Sequence, residues 1–297
     1  AAAAAVGLCC HRAAQGLSGG GCYTSKSHKD CLARFMEIAS MAQDKRLIGE
    51  QNTVAILTYL HRFGWLTSRM IAALIWPDAK QGAAMARRTV KALADQKLIL
   101  KRALPEGGDC YTLSAAGARW LQEKEGITTK SGTALQLGNP VHRACSNWYL
   151  IARLLAGDTV WTEYEIQTGR APVGTVVGKV PDGLVLTPFG LIWIEVENSW
   201  KNRAERTKVV SFCQRCLFGG AEMAELAPDY YLFRVAIVSA RLDALRAMVN
   251  SLREVHRAGD LSSTQAANIE LAYMPVDKSL VAGAVYQSLL SDVLDEA

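Results

Sequence analysis

The chain of 297 residues predicts a mixed α/β protein, α+β overall, built from two globular domains. Two observations predict this class. The C-terminal half alternates apolar strand-like runs with amphipathic helical patterns, which is typical of a mixed sheet flanked by helices. The region before it is helical and has one Pro/Gly turn between two short β patterns. The expected divisions are a flexible arm (residues 1–29), a first domain (30–126), a linker (127–140) and a second domain (141–297).

Composition argues against a membrane protein and against a disulfide-rich scaffold. With 50% hydrophobic residues, each domain has enough apolar content for a core. No apolar run reaches the ~18 residues of a membrane span, so no membrane insertion is expected. Eight cysteines in a chain of this length are not typical of a disulfide scaffold, which favours a reducing, cytoplasmic location. The net charge of +5 mildly favours an anionic partner.

Residues 1–29 are rich in Ala, Gly and Ser and have no helical or strand period, which predicts a flexible arm. Cysteines and histidines in and beside this arm suggest zinc as an alternative. Their spacing lacks the paired C-x₂-C or H-x₃-H pattern of a tetrahedral site, so the flexible arm is the favoured interpretation.

The first domain reads as a series of helices followed by a β-hairpin and a last helix. Predicted helices cover 31–47, 52–63 with Asn52 as N-cap, 69–75 and 83–96. Strands follow at 98–102 and 110–113 around a Pro/Gly turn, and Ser114 caps a helix over 115–125. This is the order of a winged helix. The run DQKLILKRALPEGGDCYTLSAAGARWL resembles the wing and following helix of bacterial winged-helix regulators.

Cations concentrate on the long third element and the first wing strand of this domain. In a winged helix these positions meet phosphates and a major groove, so double-stranded DNA is the expected partner. The alternatives are a solvated helix face or a winged helix that contacts only protein. The predicted DNA-binding residues are Arg87, Arg88, Lys91, Lys97, Lys101 and Arg102.

In the second domain, the stretch KVPDGLVLTPFGLIWIEVENSWK predicts two strands, 180–186 and 191–197, joined by a tight turn. The side-chain period of two places Trp193, Glu195 and Glu197 on one face of the second strand, and an entirely apolar set on the other. Asp182 on the neighbouring strand brings a third acid. Carboxylates that converge on one sheet face are oxygen ligands for a hard divalent cation.

The remaining elements of this domain alternate between helix and strand. A helix over 141–156 begins with His142, and a strand over 161–168 carries Glu163 and Glu165 on one face. Asn198 is expected to cap a helix that carries Lys201. A buried strand at 230–239, a helix at 242–255, a strand at 270–274 and a helix at 279–294 complete the prediction. Cys213 and Cys216 read as core thiols, because no second pair accompanies them.

The hairpin resembles the nuclease core of the PD-(D/E)XK superfamily. Pro181-Asp182 matches the PD element, and Glu195-Val196-Glu197 occupies the (D/E)-x-K element with Glu in place of Lys. The fold that this resemblance implies is an N-terminal winged helix followed by a nuclease-like mixed sheet flanked by helices.

Over a longer span, the segments HRACSNWYLIARLL, WTEYEI, KVPDGLVL and IWIEVENS are similar to the replication-relaxation proteins and MobC-type mobilisation relaxases of bacterial plasmids. The resemblance implies a protein that binds a plasmid origin and nicks one strand, with other mobilisation or secretion-coupling proteins as partners.

The mechanism implied by the resemblance is metal-assisted phosphodiester hydrolysis. Asp182 and Glu195 would hold Mg²⁺ or Mn²⁺, with Glu163 or Glu165 as further ligands. Glu197 would orient or deprotonate the attacking water, and Lys201 or His142 would stabilise developing charge. Tyr164 is an alternative nucleophile for a covalent mechanism.

Two rival functions stay open. In the first, the nuclease fold is inactive and the protein is a DNA-binding replication or mobilisation accessory factor. Glu197 in the Lys position supports this alternative. In the second, the chain is a transcriptional regulator, which leaves the acids at Asp182, Glu195 and Glu197 without a reason.

Overall fold

The computed structural model describes residues 45–105, 107–198, 203–218 and 223–295. Residues 51–297 belong to one compact unit. Of the other unit, residues 1–50, the structure describes only 45–50, which are helical. The predicted arm, most of the predicted helix at 31–47, and Lys201 all lie outside the described residues. The described chain is a mixed α and β structure, as the sequence predicts.

The N-terminal part follows the predicted order of helices and strands closely. Its described elements are α1 (Lys45–Phe63), β1 (Leu66–Thr67), α2 (Ser68–Ile75), α3 (Gly82–Asp95), β2 (Ile99–Ala103), β3 (Asp109–Leu113) and α4 (Ala115–Glu125). The strands form a three-stranded antiparallel sheet in the order β1-β3-β2. Thr67 and Ser114 begin α2 and α4, because their hydroxyls accept hydrogen bonds from the backbone N–H of Met70 and Gly117.

The C-terminal part contains a larger sheet and the helices that cover it. Its described elements are α5 (Pro140–Leu155), β4 (Thr159–Thr162), α6 (Glu163–Gln167), β5 (Gly183–Thr187), β6 (Gly190–Val196), α7 (Arg203–Cys216), β7 (Glu225–Ala227), β8 (Tyr230–Ser239), α8 (Leu242–Arg257), α9 (Ser263–Ala266), β9 (Ile269–Tyr273), β10 (Tyr286–Leu289) and α10 (Leu290–Asp295).

The larger sheet is mixed, with the order β10-β9-β8-β6-β5-β4 and β7 paired to β8. β8 runs parallel to both β6 and β9, and the other pairs are antiparallel. Parallel neighbours need crossover connections, which α7 and α8 provide. The near-continuous apolar run of β8 is therefore explained by burial on both faces, as predicted.

Two apolar cores lie on opposite faces of this sheet. On one face, α5 packs over Ile192, Ile194 and Val196, and the same core continues into the helices of the N-terminal part. On the other face, α7 and α8 pack over Trp193 and other residues of β5, β6 and β8. Because one core is shared by the N-terminal part and α5, the N-terminal part packs directly against the sheet domain.

Polar contacts add to this packing. Arg62 at the end of α1 forms an ion pair with Glu165 (Nε to Oε1, 2.9 Å) and donates to the carbonyl of Val160. The hydroxyl of Thr162 donates to the carbonyl of Arg62 at 2.5 Å. The predicted linker (127–140) is irregular but is also bonded to its surroundings, since the N–H of Gly132 donates to the carbonyl of Leu113 at 2.8 Å.

Four predicted element boundaries are wrong. The strand expected over 180–186 begins only at Gly183. Asn52 is not an N-cap, because it lies inside α1. The strand expected over 161–168 ends at Thr162, where a capping box starts α6 instead. The helix expected over 279–294 is irregular at first, then forms strand β10, and becomes helical only from Leu290. In the last two cases local sequence preference was overridden by pairing or capping.

Candidate functional site

The β5–β6 hairpin provides the framework of the candidate site. Its register pairs Gly183 with Ile194, which places Asp182 beside Glu195 at the open end of the hairpin. Ile194 is fully buried under α5, whereas Glu195 lies on the opposite face, near α7. The predicted division of β6 into an apolar face and an acidic face is confirmed for these residues.

Asp182 is held in place through both carboxylate oxygens. Oδ2 accepts a hydrogen bond from the N–H of Val196 at 2.7 Å, and Oδ1 lies 3.0 Å from Nε2 of His142. The carbonyl of Asp182 accepts from the hydroxyl of Ser146 at 2.6 Å, which ties the residue to α5. The side chain remains 20% exposed. Asp182 is thus a fixed carboxylate that solvent can reach.

Glu195 is almost completely buried, with a side chain only 4% exposed. Its Oε1 accepts from Nε1 of Trp193 at 2.7 Å, and its Oε2 lies 2.9 Å from Nζ of Lys179. Burial, followed by the charge of Asp182, raises the pKa of Glu195 to about 7, although Lys179 and Trp193 act in the opposite direction. Its carboxyl therefore changes protonation near neutral pH.

Lys179 is the residue of the site that the sequence reasoning missed. It follows a tight turn in which Val176 and Lys179 exchange both backbone hydrogen bonds. The two central residues, Val177 and Gly178, both have positive φ (50° and 75°), as a type I′ turn requires. The signal in the sequence was an amine three residues before the aspartate of the PD element. Lys179 thereby places an ammonium beside Glu195, although position 197 has none.

The first turn of α5 brings an imidazole and a guanidinium to the same end of the hairpin. Asn139 caps this helix through His142 N–H, and His142 reaches Asp182 as described. Arg143 is buried, and among the described residues its Nε and Nη2 have no hydrogen-bond partner. Burial lowers the pKa of Arg143, while the charges of Glu163, Tyr164 and Asp182 raise it. A poorly satisfied buried cation thus lies near Asp182.

Glu163 and Glu165 are not on a strand, which corrects the sequence prediction. Both belong to the short helix α6. Glu165 accepts from the N–H of Thr162 at 2.9 Å and pairs with Arg62, so its carboxylate caps α6 and fastens α1. Glu163 accepts from Gln167 and lies 3.7 Å from Nε of Arg143. Because both carboxylates have these protein partners, their positions are explained without a metal ion.

The remaining residues singled out in the sequence lie in different surroundings. Glu197 follows β6, is buried, and donates its N–H to the carbonyl of Val238 at 2.8 Å. Lys201 lies outside the described residues. Cys213 and Cys216 are buried thiols, which agrees with their predicted place in the core. Tyr164 has the guanidinium groups of Arg143 and Arg170 near its ring, at 5.9 and 5.2 Å from the centroid.

The predicted DNA-binding cations fall into two groups. The side chains of the first group are exposed on α3 or just after it; they are Arg87, Arg88, Lys91 and Lys97. In the second group, Lys101 pairs with Asp109 at 2.9 Å across the β2–β3 hairpin, and Arg102 donates to the carbonyl of Leu135. The exposed group on α3 is therefore the one positioned to meet an external anion.

Within the described ranges, no group of three or more His, Cys, Asp or Glu side chains is placed to hold a metal ion. In the same part of the chain, no helix has the length and apolar character to cross a membrane. No family model matches the chain, and no curated protein matches it either.

Proposed function

We propose that this protein is a metal-dependent DNA endonuclease that binds plasmid-origin DNA and nicks one strand. The observation that carries the proposal is the juxtaposition of Asp182, Glu195 and Lys179 at the open end of the β5–β6 hairpin. Two carboxylates and an ammonium at one end of a hairpin are a set of groups suited to metal-assisted phosphodiester hydrolysis. The resemblance to the PD-(D/E)XK superfamily supports the same reading, with Lys179 supplying the amine.

The donor chemistry of this pair fits Mg²⁺ or Mn²⁺. Asp182 and Glu195 offer hard oxygen ligands, and the charge of Asp182 contributes to the raised pKa of Glu195. Burial is the larger cause of that rise, and a cation bound between the two carboxylates would offset the repulsion from Asp182. Asp182 and Glu195 would hold the ion, and the ion when bound would polarise the phosphate and acidify a water. Glu163 and Glu165 are left out of the ligand set, because both have other partners.

The remaining groups would act on the phosphate and on protons. The ammonium of Lys179 is held by Glu195 at 2.9 Å and would stabilise negative charge that develops on the phosphate oxygens. His142 orients Asp182 and is itself partly exposed, so it can exchange a proton with a leaving oxygen. Arg143 adds positive charge behind Asp182.

The exposed cations of α3 would supply DNA affinity. Arg87, Arg88 and Lys91 line one shallow surface depression. A helix with such a face is suited to contact phosphates at a major groove, in the manner of a winged helix. Because the N-terminal part shares a core with α5, this helix and the hairpin would hold a fixed spacing on DNA.

A second candidate function is DNA binding without cleavage, in a replication or mobilisation accessory factor. One observation favours it: each carboxylate oxygen of Asp182 and Glu195 has a protein partner. In that case the two acids would stabilise the hairpin, and α3 would be the working surface.

Nicking of supercoiled plasmid that carries the cognate origin, with Mg²⁺ or Mn²⁺, separates the two candidates. For the nuclease we expect Asp182→Asn, Glu195→Gln and Lys179→Gln each to lower the nicking rate by about 100-fold or more, with DNA binding retained in the two acid variants. The matched controls are Asp260→Asn, Glu123→Gln and Lys278→Gln, which change the same charges at exposed positions. Tight binding without nicking in either metal would instead support the accessory factor.

A further inference from the structure

A small cleft has Lys179 in its lining. It has a volume of about 190 Å³ and lies between the 176–179 turn and α7. Its lining includes three cations and two hydroxyl groups; the residues are Lys179, Lys208, Arg215, Thr207 and Ser211. None of the described residues that line it carries a carboxylate. The cleft is therefore a concentration of positive charge and hydrogen-bond donors.

The polar groups on α7 form a regular row. Thr207, Ser211 and Arg215 are four residues apart, and this spacing places their side chains along one face of a helix. Lys208 lies beside this row and is paired with Glu205 at 2.7 Å, yet its side chain remains 62% exposed. Arg215 is also exposed. The row is thus accessible from solvent along its length.

The opposite wall of the cleft is strained. Val177 has φ of 50°, which is an unfavourable conformation for a β-branched residue, and type I′ turns normally place Asn, Asp or Gly there. The residue is 53% exposed, so apolar burial does not offset this strain. Strain of this kind is concentrated at functional sites. Here the strained turn positions Lys179, which lines the cleft and also contacts Glu195 of the candidate catalytic pair.

The cleft is coupled to the candidate catalytic pair through direct contacts. Lys179 lines the cleft while its Nζ lies 2.9 Å from Glu195. Phe212, on α7 in the lining of the cleft, packs against Trp193 with ring centroids 4.4 Å apart. Trp193 in turn donates to Glu195. A ligand in the cleft would therefore lie one side chain away from Glu195.

We propose that this cleft binds a backbone phosphate of a DNA strand, next to the phosphate that reacts at Asp182 and Glu195. The inference rests on the proposed nuclease function and adds a substrate-positioning subsite on α7. A lining of cations and hydroxyl donors without a carboxylate favours a phosphate over a neutral or cationic ligand, although Lys179 and Lys208 each pair with a glutamate outside the lining. The open row on α7 favours a continuous strand over a small free anion. A polymer must enter and leave the site, and the exposed row gives it room to do so.

The test is the salt dependence of binding to a short single-stranded oligonucleotide, measured by fluorescence anisotropy. Each phosphate contact contributes about 0.7 to the slope of log K against log salt for a single strand. We expect Arg215→Gln and Lys208→Gln each to lower the magnitude of the slope by about that amount. The control variants Arg119→Gln and Lys278→Gln remove the same charges at exposed positions outside the cleft and should leave the slope unchanged.

The outcomes separate this subsite from the nuclease proposal. An unchanged slope in Arg215→Gln and in Lys208→Gln would overturn the subsite, even if the wild-type chain nicks DNA. Competition by inorganic phosphate without a change of slope would also overturn it, because the cleft would then hold a free anion. A reduced slope in a chain that does not nick supports the cleft as a phosphate site and rejects the nuclease. Thermal unfolding of each variant verifies that it is folded.

Discussion

Glu165 and Glu195 are two glutamates that look equivalent in the sequence and differ in the structure. Both belong to the C-terminal domain, both are mostly buried, and each has a cation 2.9 Å away. Glu165 faces donors only: the N–H of Thr162 and the guanidinium of Arg62. Glu195 faces Lys179 and Trp193, but also a second acid; burial first, and then the charge of Asp182, raises its pKa. The neighbours of a buried acid, and not its burial alone, separate a structural acid from a candidate catalytic one.

The largest effect on stability is expected at Glu165. Glu165→Ala removes the capping box of α6 and leaves Arg62 without its carboxylate partner at the junction with α1. Loss of one partner of a buried pair costs about 3 kcal/mol. Urea unfolding followed by tryptophan fluorescence measures it, and Glu123→Gln at an exposed site should change the free energy of unfolding by less than about 0.5 kcal/mol. If Glu165→Ala left the free energy of unfolding unchanged but abolished nicking, Glu165 would be assigned to the active site instead.

The next effect is the pH dependence that Glu195 contributes to stability. Its pKa is about 7 in the folded chain against an ordinary value of 4.5, so the folded state binds the proton more tightly. The stabilisation is complete below about pH 4.5 and is lost as the pH rises towards 7. At about 1.4 kcal/mol per pKa unit, the linked change is on the order of 3 kcal/mol at most.

Comparison of wild type with Glu195→Gln isolates this contribution. The difference in the free energy of unfolding between the two chains should shift in favour of the variant as the pH is raised from 4.5 to 7.5. A difference that stays constant across this range would show that Asp182 and burial do not raise the pKa of Glu195.

A smaller effect is expected at the turn that presents Lys179. Val177→Gly relieves a positive φ at a β-branched residue and should increase the free energy of unfolding by about 1 kcal/mol, net of the entropy cost of glycine. Val177→Ala keeps the positive φ at a residue with a Cβ and should recover less. A loss of stability in Val177→Gly would mean that the turn is not strained.

The smallest effect concerns His61, which lies beside Arg62 at the α1 junction. Its Nε2 accepts from Arg170 at 2.6 Å, and burial, then the charge of Arg170, lowers its pKa from 6.5 to about 4. Stability is therefore present above pH 6.5 and is lost as the pH falls towards 4, opposite in sign to Glu195. Because the ring is only partly buried, we expect less than about 1 kcal/mol. His61→Gln should flatten the acid limb of a stability–pH profile.

Local features of the chain were predictable because they depend on neighbouring residues. The period of two along β6 separated Ile194 from Glu195 correctly, and the apolar run of β8 predicted both its limits and its burial. Ser114 was recognised as the cap of α4 from its position before a helical pattern. Asp182 and Glu195 were placed together because a hairpin pairs residues that are close in sequence.

The partners of charged side chains were decided only by the tertiary structure. Arg62 and Glu165 are 103 residues apart, and nothing in the WTEYEI segment indicates that a cation from α1 will meet it. Lys179 reaches Glu195 because a turn with two positive φ angles directs it there. Hydrophobic period is a property of one segment, whereas an ion pair requires two segments to fold together. The sequence therefore determined which residues face which side of each strand, and the tertiary structure decided which charges they meet.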